Sequence, residues 1–256
     1  TPTNTHFDIA KKFLENRIDV LIEKPMTNTV EEALSLIQLA EKNNCIIQVG
    51  HIERFNPVIN ELKSLVEKPH YIEIERLAPF QARGTEVPVV LDLMVHDIDL
   101  ILEMVDSPIQ NISASGAKMM SETIDLAHAH IKFENGVVAN LKSSRIAQNY
   151  IRKIKTYQKN LYSITDLMIP QTELYGLENN NKFSSDAKTQ LIKTQSGEKT
   201  LYYEKFIPKN NDALLEEIND FVRSINLRSS PIVDGQAGMN ALKIALEIEN
   251  KIFLNE

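Results

Sequence analysis

Val20-Leu21-Ile22-Glu23-Lys24-Pro25 is a short apolar run that breaks into charge, and Cys45-Ile46-Ile47-Gln48-Val49-Gly50-His51 repeats the form further along. Apolar runs too short for a helix and without polar alternation read as strands buried on both faces, the habit of a parallel sheet. The stretch between them is helical. Thr29 and Glu32 form a capping-box pattern, and Val30, Ala33, Leu34, Ile37 and Ala40 recur on one helical face before Asn43-Asn44 ends it. Upstream, Ile9, Ala10, Phe13 and Leu14 predict a helix over residues 7–17. Downstream, Asn56-Pro57 offers an N-cap and a first-turn proline for a helix reaching Val66. Helix, strand, helix, strand, helix is the rhythm of a parallel α/β sheet.

Beyond Pro69 the texture changes, because Tyr71 to Leu77 alternates Ile72 and Ile74 with Glu73 and Glu75, the pattern of a strand with one wet face. Asn135-Gly136 between extended stretches at 126–133 and 137–144 predicts a hairpin. Further strands are predicted near 153–157, 172–175, 190–194 and 200–206, with a polar loop from Asn179 to Lys188 and closing helices at 213–225 and 237–253. Ala127, Ala129, Ile131 and Phe133 share one strand face that needs cover, which predicts a second subunit on this sheet.

A formal charge of −7 excludes a general phosphate-backbone binder, which needs a dense field of Lys and Arg. No apolar run approaches the roughly 20 residues that span a bilayer, and no basic, then apolar leader opens the chain. A cytoplasmic protein without nucleic-acid or membrane partners is expected. The single cysteine, Cys45, allows no internal disulfide and reads as a buried, reduced thiol.

Two constellations carry chemistry. Lys24 follows directly on an apolar strand, and open parallel sheets bind ligands beyond the carboxyl ends of their strands, where a lysine can steady a developing alkoxide. An ordinary charged strand-to-loop junction is the alternative. Residues 91–103 read as a helix with Asp92, His96, Asp99 and Glu103 on one narrow stripe and apolar side chains over most of the rest. Buried polar groups need partners or a wet cavity, so the stripe marks either an active-site cleft or a solvent-facing row. Asp92, one turn before His96, is placed to orient or charge the imidazole. His128 and His130 share a strand face without a third ligand, which argues for a solvated surface and no metal site.

Taken together, Thr1-Pro2-Thr3-Asn4-Thr5-His6, Glu23-Lys24-Pro25, Gly50-His51-Ile52-Glu53-Arg54-Phe55-Asn56-Pro57, Asp92-Leu93-Met94-Val95-His96-Asp97 and Pro231-Ile232-Val233-Asp234-Gly235 resemble the Gfo/Idh/MocA oxidoreductase family, in family order along the whole chain. The resemblance implies an α/β fold: a partial Rossmann-type doubly wound parallel sheet in residues 1–69, then an α+β domain with an open, mainly antiparallel sheet in residues 70–256. The first would hold NAD or NADP; the second would bind substrate and form a homodimer or homotetramer, with the final helices expected to pack back on the first. By the same resemblance, Thr1, Pro2, Thr3, His6, Glu23, Lys24, Pro25 and His51 line the cofactor crevice. Lys24, His96 and Asp92 are the catalytic set, with Lys24, Arg54, Asp92 and His96 contacting substrate. The implied reaction is hydride transfer from a secondary hydroxyl of a sugar or nucleotide sugar such as a UDP-N-acetylhexosamine. A non-catalytic sugar or dinucleotide sensor and an inactive truncated paralogue stay open beside it. The family's first strand and G-x-G-x-x-G turn have no counterpart among the scattered glycines, so the chain is expected to be a portion of a longer enzyme and to bind dinucleotide poorly by itself.

Overall fold

Two sheets carry the chain, and the computed structural model describes residues 1–82, 84–177, 182–195, 197–209 and 212–253. In the smaller sheet β1 (Val20–Glu23) pairs in parallel with β2 (Ile47–Gly50), Glu23 opposite Gly50. α1 (His6–Glu15) precedes β1, and α2 (Val30–Asn43) makes the crossover. The capping box is complete: the Thr29 hydroxyl accepts from the Glu32 N–H at 3.2 Å, and the Glu32 carboxylate accepts from the Thr29 N–H at 3.4 Å. Leu14, Ile22, Ala33, Leu36 and Val49 fill the core between these elements. Cys45, expected buried, is half-buried and free.

The larger sheet holds β3 (Tyr71–Leu77), β4 (Ile109–Ala117), β5 (Leu126–Phe133), β6 (Val138–Ser144), β7 (Ile151–Gln158), β8 (Leu161–Asp166), β9 (Gln171–Gly176), β10 (Lys188–Thr194) and β11 (Gly197–Phe206). Their order is β10-β11-β9-β8-β7-β3-β6-β5-β4, antiparallel except for the parallel β3–β6 pair. The β5–β6 hairpin turns at Gly136 with φ 88°, a left-handed conformation that glycine adopts without strain. Of the loop expected at 179–188, residues 179–181 lie outside the described residues, and Lys188 already belongs to β10. β4 and β8 were not expected from the sequence.

Four helices complete the chain: α3 (Pro57–Leu65), α4 (Val95–Met104), α5 (Ala213–Leu227) and α6 (Gly235–Phe253). α6 serves two cores, because Ala241, Ala245, Ile248 and Ile252 pack in the larger one and Leu242 in the smaller. It lies directly on β2: a Cβ added at Gly238 would meet Val49 Cγ2 at 2.5 Å. α3, assigned from sequence to the first domain, buries Val58, Ile59 and Leu62 in the larger core. The expected need for a second subunit over Ala127, Ala129, Ile131 and Phe133 is corrected, since the chain's own helices bury all four. The opposite face is the open one. There Tyr71, Tyr157, Tyr162, Tyr175 and Tyr203 follow one another across five strands with ring centroids 4.8–5.9 Å apart, and His128 and His130 are exposed on it.

Candidate active site

Lys24 leaves the carboxyl end of β1, where the parallel strands open toward the larger domain. Its ammonium donates to the Asp92 backbone oxygen at 2.6 Å and reaches the Asp92 carboxylate at 3.3 Å. Asp92 lies in a π-helical turn, Val90–Met94, that runs into α4; such turns replace one regular helical turn and are frequent at functional sites. α4 then brings His96 beside His51, which follows the end of β2, with the rings edge to face at 6.1 Å and 88°. Each imidazole keeps a buried Nδ1 without a protein partner, an arrangement that a bound ligand relieves.

Burial pushes the His96 pKa well below the usual histidine range, and the charges of Arg76, Lys24 and Arg152, with His51 adding to them, push it the same way. Burial also lowers His51. His96 is therefore a neutral base at neutral pH. The expectation that Asp92 orients His96 is corrected: the Asp92 carboxylate turns to Lys24, and burial, reinforced by the surrounding cations, sets the state of the imidazole.

The polar stripe of residues 91–103 divides. Asp92 and His96 face the cleft, whereas Asp99 takes a two-point hydrogen bond from Arg54 at 2.6 and 2.9 Å and Glu103 pairs with Arg54 and Lys63. The Arg54 side chain is 6% exposed, so this guanidinium joins α4 to the turn after β2 and is not offered to the cleft. A second buried network stands behind His96. Arg76 of β3 binds Asp97 at 2.8–3.1 Å and Glu53 at 3.0 Å, and burial, which opposes the charge, is outweighed by those two carboxylates, so its pKa is raised. Sequence reasoning missed Arg76, Glu53 and Asp97, although Ile72, Ile74 and Arg76 share one strand parity and so place a charge on the buried face. It also missed Glu217 of α5, whose carboxyl is pushed up to about 7 by burial and the nearby Glu23.

His6 is buried at the start of α1 with Nδ1 3.0 Å from the Pro25 oxygen and Nε2 3.1 Å from the Thr1 oxygen. A neutral ring donates to only one of these; the bond to Pro25 ties the helix to the loop after β1, and the bond to Thr1 holds the residues that precede the helix. Thr1, Pro2 and Glu23 are exposed, Thr3 is half-buried and Pro25 is buried. Glu23 lies against Gly50, where an added Cβ would stand 2.9 Å from its Oε2. Lys24, Glu23 and the unpartnered His51 thus gather at the carboxyl ends of β1 and β2. The donor set suits the nicotinamide end of a dinucleotide; the 256 residues contain no glycine-rich turn of the kind that cradles its pyrophosphate.

Comparison with known proteins agrees with this fold. Residues 1–51 match the Gfo/Idh/MocA profile described as an oxidoreductase family with an NAD-binding Rossmann fold, and residues 76–158 match the family's C-terminal domain. The UDP-N-acetylglucosamine 3-dehydrogenase of Acidithiobacillus ferrooxidans is 32% identical over 249 residues, 97% of this chain and 75% of that protein. The chain belongs to the Gfo/Idh/MocA oxidoreductases. A solved structure of that Acidithiobacillus enzyme has a TM-score of 0.87 at 31% identity, covering 98% of this chain and 77% of its own. The myo-inositol 2-dehydrogenase of Thermotoga maritima is 23% identical over 279 residues, 99% of this chain and 78% of that protein. As a Gfo/Idh/MocA protein the chain is an oxidoreductase whose cofactor is NAD(P), and Lys24, Asp92 and His96 all fall inside the matched segments. Among the described residues no helix is long and apolar enough to cross a membrane.

Proposed function

We propose that the protein oxidises a secondary hydroxyl of a sugar, and that its substrate is a nucleotide sugar of the UDP-N-acetylhexosamine class. The observation that carries the reading is the meeting of Lys24 and a neutral His96 in one cleft, one from the end of β1 and the other from α4. Lys24 steadies the oxygen of the reacting carbinol, and Asp92 holds the ammonium in place. His96 accepts the hydroxyl proton. Bound NAD(P) supplies the hydride acceptor for the hydrogen on the same carbon, leaving a ketone. Thr1, Pro2, Thr3, His6, Glu23, Pro25 and His51 border the nicotinamide side, His6 through its tether to Pro25. Arg54 is assigned to holding the α4 wall and not to substrate. Residues 1–69 form the cofactor side and 70–256 the substrate side, with α3 the element shared between them. The nucleotide-sugar preference follows the 32% identical relative over the more distant inositol dehydrogenase. The test is steady-state reduction of NAD and of NADP with a panel of UDP-hexoses, free hexoses and inositols. Reduction with inositols and none with nucleotide sugars would overturn the substrate assignment.

Assembly belongs to the same reading. The tyrosine row and the ion pairs around it, Lys155–Glu73 and Lys142–Glu75, lie on the open face of the larger sheet. Aromatic rings with polar tips are favoured where one side is to be covered and the rim stays wet. A homodimer or homotetramer closing over this face is expected in analytical ultracentrifugation at micromolar concentration, and Tyr162→Glu shifts it toward monomer. A monomer throughout would remove this surface from the assembly.

A further inference from the structure

Arg76 and Arg152 are direct cross-strand partners on β3 and β7 and project from the helix-facing side of the larger sheet, yet their surroundings differ. Arg76 is 3% exposed and engaged by both Asp97 and Glu53. Arg152 is 41% exposed, and among the described residues the one carboxylate within 4 Å of its guanidinium is the same Glu53, Oε1 at 3.6 Å. That is beyond hydrogen-bond length, and Arg76 already holds this oxygen at 3.0 Å. The fork of Arg152 therefore keeps its N–H donors available at the mouth of the cleft. Glu53, its neighbour, lies two residues beyond His51, and the charge of Arg152 is among those that lower the His96 pKa, which places this guanidinium on the side of the reacting centre. Tyr150, two residues before it, is exposed and takes a hydrogen bond from Gln81 at 2.9 Å, which sets an aromatic ring and an amide on the same rim.

A half-exposed guanidinium with unfilled donors matches an oxyanion pair, which it binds in two-point fashion. We infer that Arg152 binds the diphosphate of a nucleotide-sugar substrate and so selects charged sugars over neutral ones. The inference rests on the dehydrogenase reading above and deepens it by giving the substrate's anionic group a named partner. Neutral sugars and inositols offer this residue only uncharged hydroxyl acceptors, which bind a guanidinium more weakly than an oxyanion pair does. A uronic acid shares the chemistry through its carboxylate, and the experiment separates the two.

The test compares wild type with Arg152→Met and Arg152→Lys in steady-state assays at saturating NAD(P), using UDP-N-acetylglucosamine, glucuronate and free N-acetylglucosamine. Calorimetric titration with UDP in the presence of the cofactor runs beside it. Arg152→Met is expected to raise the KM for UDP-N-acetylglucosamine by roughly 10- to 100-fold, the scale of losing a charge-assisted bidentate contact, with kcat changed by less than about threefold. UDP affinity falls in parallel, Arg152→Lys recovers part of both, and the KM for free N-acetylglucosamine does not move. An unchanged KM for UDP-N-acetylglucosamine overturns the inference. So does a loss confined to kcat with a displaced pH profile, which makes Arg152 a tuner of His96, and so does a KM effect on glucuronate alone. Should wild type reduce NAD(P) with no sugar at all, the dehydrogenase reading falls, while UDP binding lost in Arg152→Met still supports an anion-binding role for this residue.

Discussion

In the full-length enzyme, His96→Asn lowers kcat by roughly 10²- to 10⁴-fold in the expected result, the usual scale for removing a positioned acid/base group, while cofactor affinity changes little. Lys24→Met brings a loss of similar size, since the alkoxide then forms without its cation. The double mutant is expected to be far less impaired than the product of the two, because both residues act on one hydroxyl and fail together. The pH profile carries the same signature. His96 must be neutral to accept a proton, and its pKa lies well below 6.5, so the acid limb of kcat/KM is expected well below 6.5. Near wild-type turnover in His96→Asn on a good substrate would take histidine out of the reaction and leave Lys24 acting alone.

Arg76→Met is expected to destabilise the protein by about 3–5 kcal/mol, because it strands the Asp97 carboxylate at 0% side-chain exposure and leaves Glu53, 8% exposed, with only the more distant Arg152 and the Asn56 amide. The control is Lys63→Met at the outer end of the other network. Lys63 and Glu103 are 38% and 34% exposed, and an ion pair that open to water contributes at most about 1 kcal/mol. Urea unfolding of the two variants distinguishes the cases. A loss below about 1 kcal/mol for Arg76→Met would mean that the pair β3–α4 is held by packing alone. The buried network has a catalytic side as well: Asp97 adjoins His96 in the chain, and Glu53 lies two residues beyond His51, so both histidines stand on anchored backbone.

The fold was legible where burial follows chain period. β1, β2 and α2 write their burial directly into apolar runs and a capping box, and β3 and β5 alternate cleanly. β8 did not show because its inward side chains are Leu161, Ser163 and Thr165, and the buried hydroxyls are satisfied by neighbours, Ser163 with Thr156 at 2.6 Å and Thr165 with Thr172 at 2.9 Å. A strand that buries hydroxyls in pairs leaves no hydrophobic alternation to read. β4 is similarly veiled by Asn111, Ser113, Ser115 and Gly116. At the site, Lys24 was legible from its place after a strand and His96 from a polar row on an apolar helix. The partners were not: nothing in residues 91–103 tells that Asp99 and Glu103 meet Arg54 whereas Asp92 meets Lys24. That division depends on contacts between residues 45 and 68 positions apart.

The double allegiance of α6 also bears on how the molecule comes into being during synthesis. Every other described element leaves the ribosome before it, yet neither core is closed without it: β2 lacks the surface that covers Val49, and the larger sheet lacks Ala241, Ala245, Ile248 and Ile252. Domains of most nascent chains fold in turn as they emerge. In this chain both sheets share a helix that emerges after them, so the cleft that holds Lys24 opposite His96 is expected to gain its final packing late in synthesis.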